Sequence, residues 1–474
     1  MSVVQLRDSH SWFRAICFSV AISTCIAVDI LQYSFPLSFL PRSLEDEGHS
    51  SRHIAAVIGG YYWSGFAGGV VITSYQIYRI LFCRASQLTL RHVMIQLAAL
   101  IAGLAIGALT LVKQASDDTY SVHMACRLVQ GFLGAILFFY SYLLSIELFR
   151  GKQQLFALTL NTIALNVAEV GGPLLGATVF TLSGQETSFY FLTLLSVLNQ
   201  IGLLGILYWV WTIREKSHFE ESSIAALLSE DEDMVVIHMH SIKQYSGLER
   251  FIDVIADPHL WKALAVIAPA ALIKAELENI LPLYADHHLG YDTMSIGLSF
   301  SSVAVAFVIS SIAIGLSWDF LLVRTRDLIV GSSMVCLSVF STTILPVTQL
   351  TQNPTIFMSA LAVYGIFLGL TITPSSFMLG EFVDRLRDSQ SKDVANGIWN
   401  TLWEMGGAMG FMISGIPLSN DWKSEEAIIS SSSITLVVAA GAFFFITGVI
   451  RRDHEGIGKI PNLDDGSPII HARI

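Results

Sequence analysis

Charge is scarce in this chain. Asp, Glu, Lys and Arg make up 14% of its 474 residues, against 53% hydrophobic ones, and the mean hydropathy is +0.60. A water-soluble domain carries roughly 25% charged residues, so lipid is the expected solvent for most of the surface. Positive charge is the scarcer sign. The net charge of −11 excludes nucleic acid as a partner, since that rewards clustered Lys and Arg. Cysteine is sparse too: Cys17, Cys25, Cys83, Cys126 and Cys336 are scattered without a CxxC pair, which excludes a disulfide framework or a thiolate metal site. There is no N-x-S/T acceptor, because Asn353 precedes Pro354. The apolar stretches hold no nucleophile motif and no cluster of His with carboxylates, which argues against a membrane enzyme. No cofactor or metal is expected. The first apolar stretch runs to Pro41 with no small-residue cleavage pattern, so it is expected to stay as a spanning helix.

What the chain has in abundance is apolar stretches long enough to cross a bilayer, about twenty residues each. They predict twelve transmembrane helices, over 13–38, 54–78, 88–112, 121–148, 154–181, 188–212, 260–284, 294–318, 328–349, 355–382, 394–416 and 427–450. The implied layout is an all-α membrane protein: a six-helix bundle (1–213), a linker (214–258), a second six-helix bundle (259–451) and a tail (452–474). The linker holds the acidic run Glu230-Asp231-Glu232-Asp233 with His238 and His240. It reads as solvated chain with a helical piece near Leu248 to Ala256.

Orientation follows from the 27 Lys and Arg. Arg42, Arg52, Lys113 and Lys423 fall in odd-numbered loops and Arg127 and Lys274 inside spans; the rest lie at the termini, in the linker and in even-numbered loops. The positive-inside rule then places both termini and the linker in the cytoplasm. No address motif selects between the plasma membrane and an internal one.

The two halves repeat each other. At one constant offset Pro36-Leu37 falls on Pro282-Leu283 and Gly69 on Gly315. At a second, Phe132-Leu133-Gly134 falls on Phe367-Leu368-Gly369, and Glu169-x-Gly171-Gly172 on Glu404-x-Gly406-Gly407. Matches in order at stable offsets indicate duplication of a six-helix unit, an arrangement whose solute site forms near the bilayer midplane between the repeats.

The fourth span reads Arg127-x-x-Gln130-Gly131-x-x-Gly134-Ala135, and the fifth holds Gly172-Pro173-x-x-Gly176. These resemble motifs of the major facilitator superfamily, especially its drug and amine antiporter branch. Ala168 and Thr159 stand where the fifth-span motif has glycine. Asp29 seven residues before Pro36 is similar to a vesicular amine transporter pattern. The loop signature after the second span keeps Gly69 but has Thr73 in place of Asp; its counterpart after the eighth keeps Gly315, Asp319, Arg324 and Arg326. The resemblance implies alternating access, a proton-transfer role for Arg127, an amine counter-ion role for Asp29, and packing or gating roles for Gly131, Gly134, Gly172, Pro173, Gly176, Gly315, Asp319 and Arg324. The change at Thr73 implies another contact closing the cytoplasmic side, such as one from Arg79 or Arg84.

Ionisable groups inside spans cost at least about 2.5 kcal/mol each to insert and default to functional hypotheses. Glu169 and Glu404 are repeat-related, and Asn166 and Asn400, one turn before them, share their helix faces. Such carboxyls suit proton exchange or solute binding; the plainer alternative is helix packing. Arg127 needs a carboxylate or solute anion as partner. Lys274 and Glu278, four residues apart, are expected to neutralise each other, leaving Glu276 on another face as the better candidate. Trp403 can wall a cavity or face an organic cation. Tyr61, Tyr62 and Trp63 read as interface anchors.

The leading expectation is a proton-coupled antiporter of a small organic solute, of amine or other cationic type, with spans one, four, five, seven, ten and eleven lining the cavity. Its partners are the solute, protons and the bilayer, and the protein is expected to be a monomer. One alternative is a uniporter or symporter of a neutral or anionic metabolite, with Arg127 and Lys274 as charge partners. Another is a non-transporting sensor or scaffold.

Overall fold

In the computed structural model, residues 12–82, 90–117, 119–149, 151–228, 246–351, 353–386, 389–415 and 437–448 are described. Cys83, Arg84, the acidic run, His238, His240 and the tail lie outside them. The described residues hold helices and no strand. In chain order these are α1 (Trp12–Ser34), α2 (Leu40–Asp46), α3 (Ser51–Phe82), α4 (Leu90–Ser116), α5 (Tyr120–Leu148), α6 (Gly151–Leu228), α7 (Gly247–Ala256), α8 (Pro258–Leu289), α9 (Thr293–Ser317), α10 (Val323–Thr351), α11 (Pro354–Arg385) and α12 (Ser389–Gly415). A last helical stretch, α13, covers Val437–Gly448.

Seven helices among the described residues are long and apolar enough to cross a membrane, and one of them holds two predicted spans. The fifth and sixth spans run together in α6 and are separated by Gly184, whose φ of 81° and ψ of 177° break the helix. Only glycine takes that backbone region at little cost, so a chain reversal fits there without a longer loop. The seventh span is 32 residues of α8 and the eleventh is 27 residues of α12. Helix α8 falls short of the apolar standard because of its charges, Lys274, Glu276 and Glu278 among them, and α12 because Asn396, Asn400, Glu404 and its glycines lower its hydropathy. The helix of the sixth span also continues to Leu228, into the segment expected to be solvated linker. Residues 213–228 contain neither Gly nor Pro and are rich in Glu, Ala and Leu, so local propensity carries the helix on.

The surface is apolar and the interior polar. Val71, Leu109, Leu182, Ile201, Val305, Ile309 and Phe445 are exposed, while Asp29, Arg127, Glu169, Lys274, Glu278 and Glu404 are buried. That inversion is the pattern lipid selects. Within the first half α1 packs on α5 and α6, and α3 on α5; in the second, α8 packs on α11 and α12, and α9 on α11. The halves meet along two lines, α3 against α12 and α6 against α9. Small residues let these helices approach. A Cβ on Gly59 would lie 2.9 Å from Phe411, one on Gly397 2.8 Å from Thr73, and one on Gly297 2.9 Å from the Leu174 backbone. Shape complementarity of this kind is the main attraction available between helices in lipid.

Candidate functional site

The mid-length of α8 is where the two halves exchange charge. Lys274 lies at its centre, between Pro269 and Pro282, and its Nζ meets Oε1 of Glu169 from α6. Glu278 Oε1, one turn further along α8, is 3.5 Å away. The Tyr62 hydroxyl of α3 donates to Glu169 Oε1 at 2.8 Å and accepts from Lys274 at 3.5 Å. Tyr33 of α1 donates to Glu278 Oε2 at 3.0 Å. The fourth side is the Trp403 ring of α12, whose centroid is 4.9 Å from the ammonium. Phe138 of α5 stacks behind Trp403 and Trp399 at 6.4 and 5.7 Å.

Beside this cluster lies a second group of acids. Tyr61 donates to Asp29 Oδ2 at 3.0 Å. Glu404 lies against Gly65 of α3, where a Cβ would overlap its carboxylate, and its Oε2 has no hydrogen-bond partner. Arg127 donates to the backbone carbonyl of Gln32 at 2.7 Å and to Gln130 Oε1 at 3.4 Å, with the Tyr33 ring 6.0 Å away. Of the two partners expected for Arg127, a carboxylate or a solute anion, no carboxylate lies within ion-pair distance among the described residues. The carbonyl is free to accept because α1 turns into a 3-10 segment, Phe35–Ser38, around Pro36, and proline brings no N–H to bond it. None of Tyr33, Asp29, Tyr61, Tyr62, Arg127, Glu169, Lys274, Glu278, Trp403 and Glu404 is more than 4% exposed.

Several residue expectations change here. Tyr61 and Tyr62 are not interface anchors. Their helix begins at Ser51, so at 1.5 Å per residue they sit about 15 Å inside it, half the thickness of a bilayer core; Trp63, on another face, is 43% exposed. Helix α3 therefore joins the lining, which had been assigned to other spans. Lys274 and Glu278 do not close on each other alone, since Glu169 reaches the same ammonium. Glu276 is buried as well but projects from a different side of α8. The asparagines diverge: Asn400 donates to the Ala135 carbonyl of α5 at 3.2 Å, whereas Asn166 donates to Thr162 of its own helix at 2.7 Å.

The motif glycines serve packing within and between halves. Gly131 and Gly134 admit Tyr61, with Asp29 Oδ2 3.0 Å from a Cβ on Gly134. Gly172 and Gly176 admit Ser34 and the Phe35 carbonyl, and the Pro173 carbonyl faces Gly297 of α9. Gly315 faces Thr159 across the halves, where a Cβ would be 3.4 Å away. Asp319 and Arg324 are exposed; the neighbouring Arg326 pairs with Glu381 at 2.9 Å and lies over Trp318 at 4.8 Å.

Where α3 ends and α12 begins, the halves are tied at what we call the linker end. Arg79 pairs with Asp393 at 2.9 Å, and Thr73 shares a hydrogen bond with Thr401 at 2.9 Å. Helix α7 braces both sides, Arg250 donating to the Ile80 carbonyl at 3.1 Å and to Gln390 at 2.9 Å. A capping box of Ser246 and Glu249 starts it. Asp257, which caps α8, is held below the usual carboxylate range: partial burial opposes this, but hydrogen bonds from the backbone and ring of His259 win. At the opposite end Arg42 reaches Asp286 at 3.8 Å.

No individual curated protein matches the chain. The family model of the Major Facilitator Superfamily matches residues 17–411. Enclosure of a polar cluster between two packed half-bundles fits that match, and so does the near-total helicity. The chain thus belongs to the Major Facilitator Superfamily, a multi-pass membrane protein that carries a small-molecule solute by secondary transport.

Proposed function

We propose that the protein exchanges a small organic cation for protons. The carrying observation is a deficit of positive charge: Asp29, Glu169, Glu276, Glu278 and Glu404 are buried within the spans alongside two cations, Arg127 and Lys274. In a low dielectric a net charge of that size is not tolerated. Protons or a cationic solute make up the difference, so one can replace the other at the same carboxylates. Glu404, with an oxygen left without a hydrogen bond, is the proton carrier in this reading, and Trp403 and the tyrosines favour a cation over a neutral solute. The metabolite-anion alternative is weaker because Lys274 is held by Glu169 and Arg127 by the Gln32 carbonyl. Arg79–Asp393 takes the place of the missing Asp at Thr73 as the cytoplasmic closure, with the linker end inward, and the protein acts as a monomer.

Uptake of radiolabelled organic cations into proteoliposomes with an imposed pH gradient tests this. Stimulation by the gradient is expected in the wild type and its loss in Glu404→Gln, with exchange of cation for cation retained. A gradient response unchanged in Glu404→Gln would remove that residue from the coupling.

A further inference from the structure

Lys274 has three oxygen neighbours and a ring: Glu169, Glu278 and the Tyr62 hydroxyl, with Trp403 over the ammonium. A primary ammonium has three N–H donors; the Tyr62 hydroxyl accepts one, Glu169 meets the ammonium directly, and Glu278 Oε1, 3.5 Å away, is an ion-pair neighbour without a hydrogen bond. The two carboxylates are oriented from outside, by Tyr33 on Glu278 Oε2 and by Tyr62 on Glu169. The cage also straddles the halves. Glu169 and Tyr62 belong to the first, Lys274, Glu278 and Trp403 to the second.

A tie made only for stability would be poorly chosen, since apolar residues of similar volume usually stabilise a buried site as well or better. A tie across two bodies that must rock has a second difficulty, for its ammonium must leave one set of carboxylates as they part. Lysine fits that task, being a compact charge on a flexible four-carbon stem. Glu169 Oε2 has no hydrogen-bond partner, so the cage retains acceptor capacity beyond what Lys274 uses.

We infer that Lys274 is a tethered stand-in for the cargo: its side-chain ammonium fills, in the unloaded carrier, the cage of Glu169, Glu278, Tyr62 and Trp403 that receives the primary alkylammonium group of the transported solute. This rests on the cation reading above and narrows it. Glu169, Glu278, Tyr62 and Trp403 are almost wholly buried around the ammonium, so N-methyl groups would have to displace them and quaternary ammonium compounds are poor ligands. With Lys274 in place one of the two carboxylate charges of the unloaded cage is compensated, which lowers the cost of reorienting the empty carrier. Without it, both carboxylates cross uncompensated.

Chemical complementation tests the inference. Purified Lys274→Ala lacks a propylammonium group, and n-propylammonium chloride restores it. At fixed ionic strength, n-propylammonium is expected to raise the melting temperature of Lys274→Ala in a saturable manner, while n-propanol and tetramethylammonium do not. The wild type should need at least about tenfold more, because a cage free in fewer than about one molecule in ten weakens apparent affinity by that factor. Equal responses of the two proteins, no response, or an equal effect of tetramethylammonium each overturns the inference. If Lys274→Ala does not fold, Lys274→Met keeps the four-atom stem and lacks only the ammonium, so ammonium chloride replaces n-propylammonium with the same outcomes.

A transport arm separates this inference from the reading beneath it. In proteoliposomes Lys274→Ala should exchange labelled for unlabelled primary amine while losing net uptake. Wild-type cation transport without complementation of Lys274→Ala removes only the stand-in role. Complementation without any cation transport by the wild type removes the cargo reading and with it the inference, leaving the lysine as a fixed tie.

Discussion

Glu169 and Glu404 occupy the same place in the two repeats and have opposite surroundings. Glu169 on α6 is met by an ammonium and a tyrosine hydroxyl from two other helices. Glu404 on α12 is met by Gly65 of α3, and one of its oxygens has no hydrogen bond. Duplication placed a carboxylate at mid-depth twice, and the helix facing each copy decided its chemistry. In the function proposed above, the carboxylate with a fixed cation binds and the one without takes the proton. The lesson is that internal symmetry locates a site without assigning roles within it.

Substitutions can break this comparison. Glu169→Ala should have the largest effect on stability, about 3–5 kcal/mol, because it leaves Lys274 buried with weaker compensation. Glu404→Gln removes a buried carboxyl that has no ion pair and should leave the melting temperature unchanged or raise it. Thermal unfolding of both in one detergent decides the matter, and equal losses would end the distinction. Gly65→Ala comes next: the added methyl overlaps the Glu404 carboxylate, and overpacking costs about 1–3 kcal/mol. It should also blunt the pH-gradient response, whereas the same change at Gly171, where a Cβ meets nothing within 4 Å, should leave transport intact.

Arg79→Ala should cost less stability, about 1 kcal/mol, for an ion pair that is partly exposed on the arginine side. Its stronger signature is expected in access: cysteines introduced near the linker end of α3 should label faster, and unchanged labelling would deny the pair a closing role. The smallest effect belongs to Asp117→Asn, away from both acids. Hydrogen bonds from Lys113 and Thr119 hold the Asp117 carboxyl below its usual range. Its contribution is therefore present at neutral pH and lost as pH falls through that lowered value. A change in melting temperature large enough to rival Gly65→Ala would show that the loop matters more than its exposure suggests.

Much of this architecture was legible beforehand, for a physical reason. Each of the twelve predicted spans has a helix among the described residues, the last only as Val437–Gly448, because hydropathy over about twenty residues is a local quantity. The repeat marked Glu169 and Glu404, and the missing Asp at Thr73 pointed to a contact from Arg79 or Arg84, of which Arg79 pairs with Asp393 and Arg84 lies outside the described residues. Depth was harder to read. Tyr61 and Tyr62 passed for anchors because the start of α3 was placed three residues late, and an aromatic pair near a helix start looks interfacial. The bundle of acceptors around Lys274 was invisible for a different reason. Its members come from α3, α6, α8 and α12, and spacing along the chain reports only the Glu278 neighbour one turn away.

The amino-acid sequence by itself determined that this chain lives in lipid as two duplicated helical bundles and which charges are buried at mid-depth, since both follow from local composition and internal repetition. Only the tertiary structure decided which of those charges touch. Helix rotation and the close approach of α3 to α12 and α6 to α9 are set by packing of side chains distant in sequence, and that packing alone brings Lys274 to Glu169 and leaves Glu404 facing a glycine.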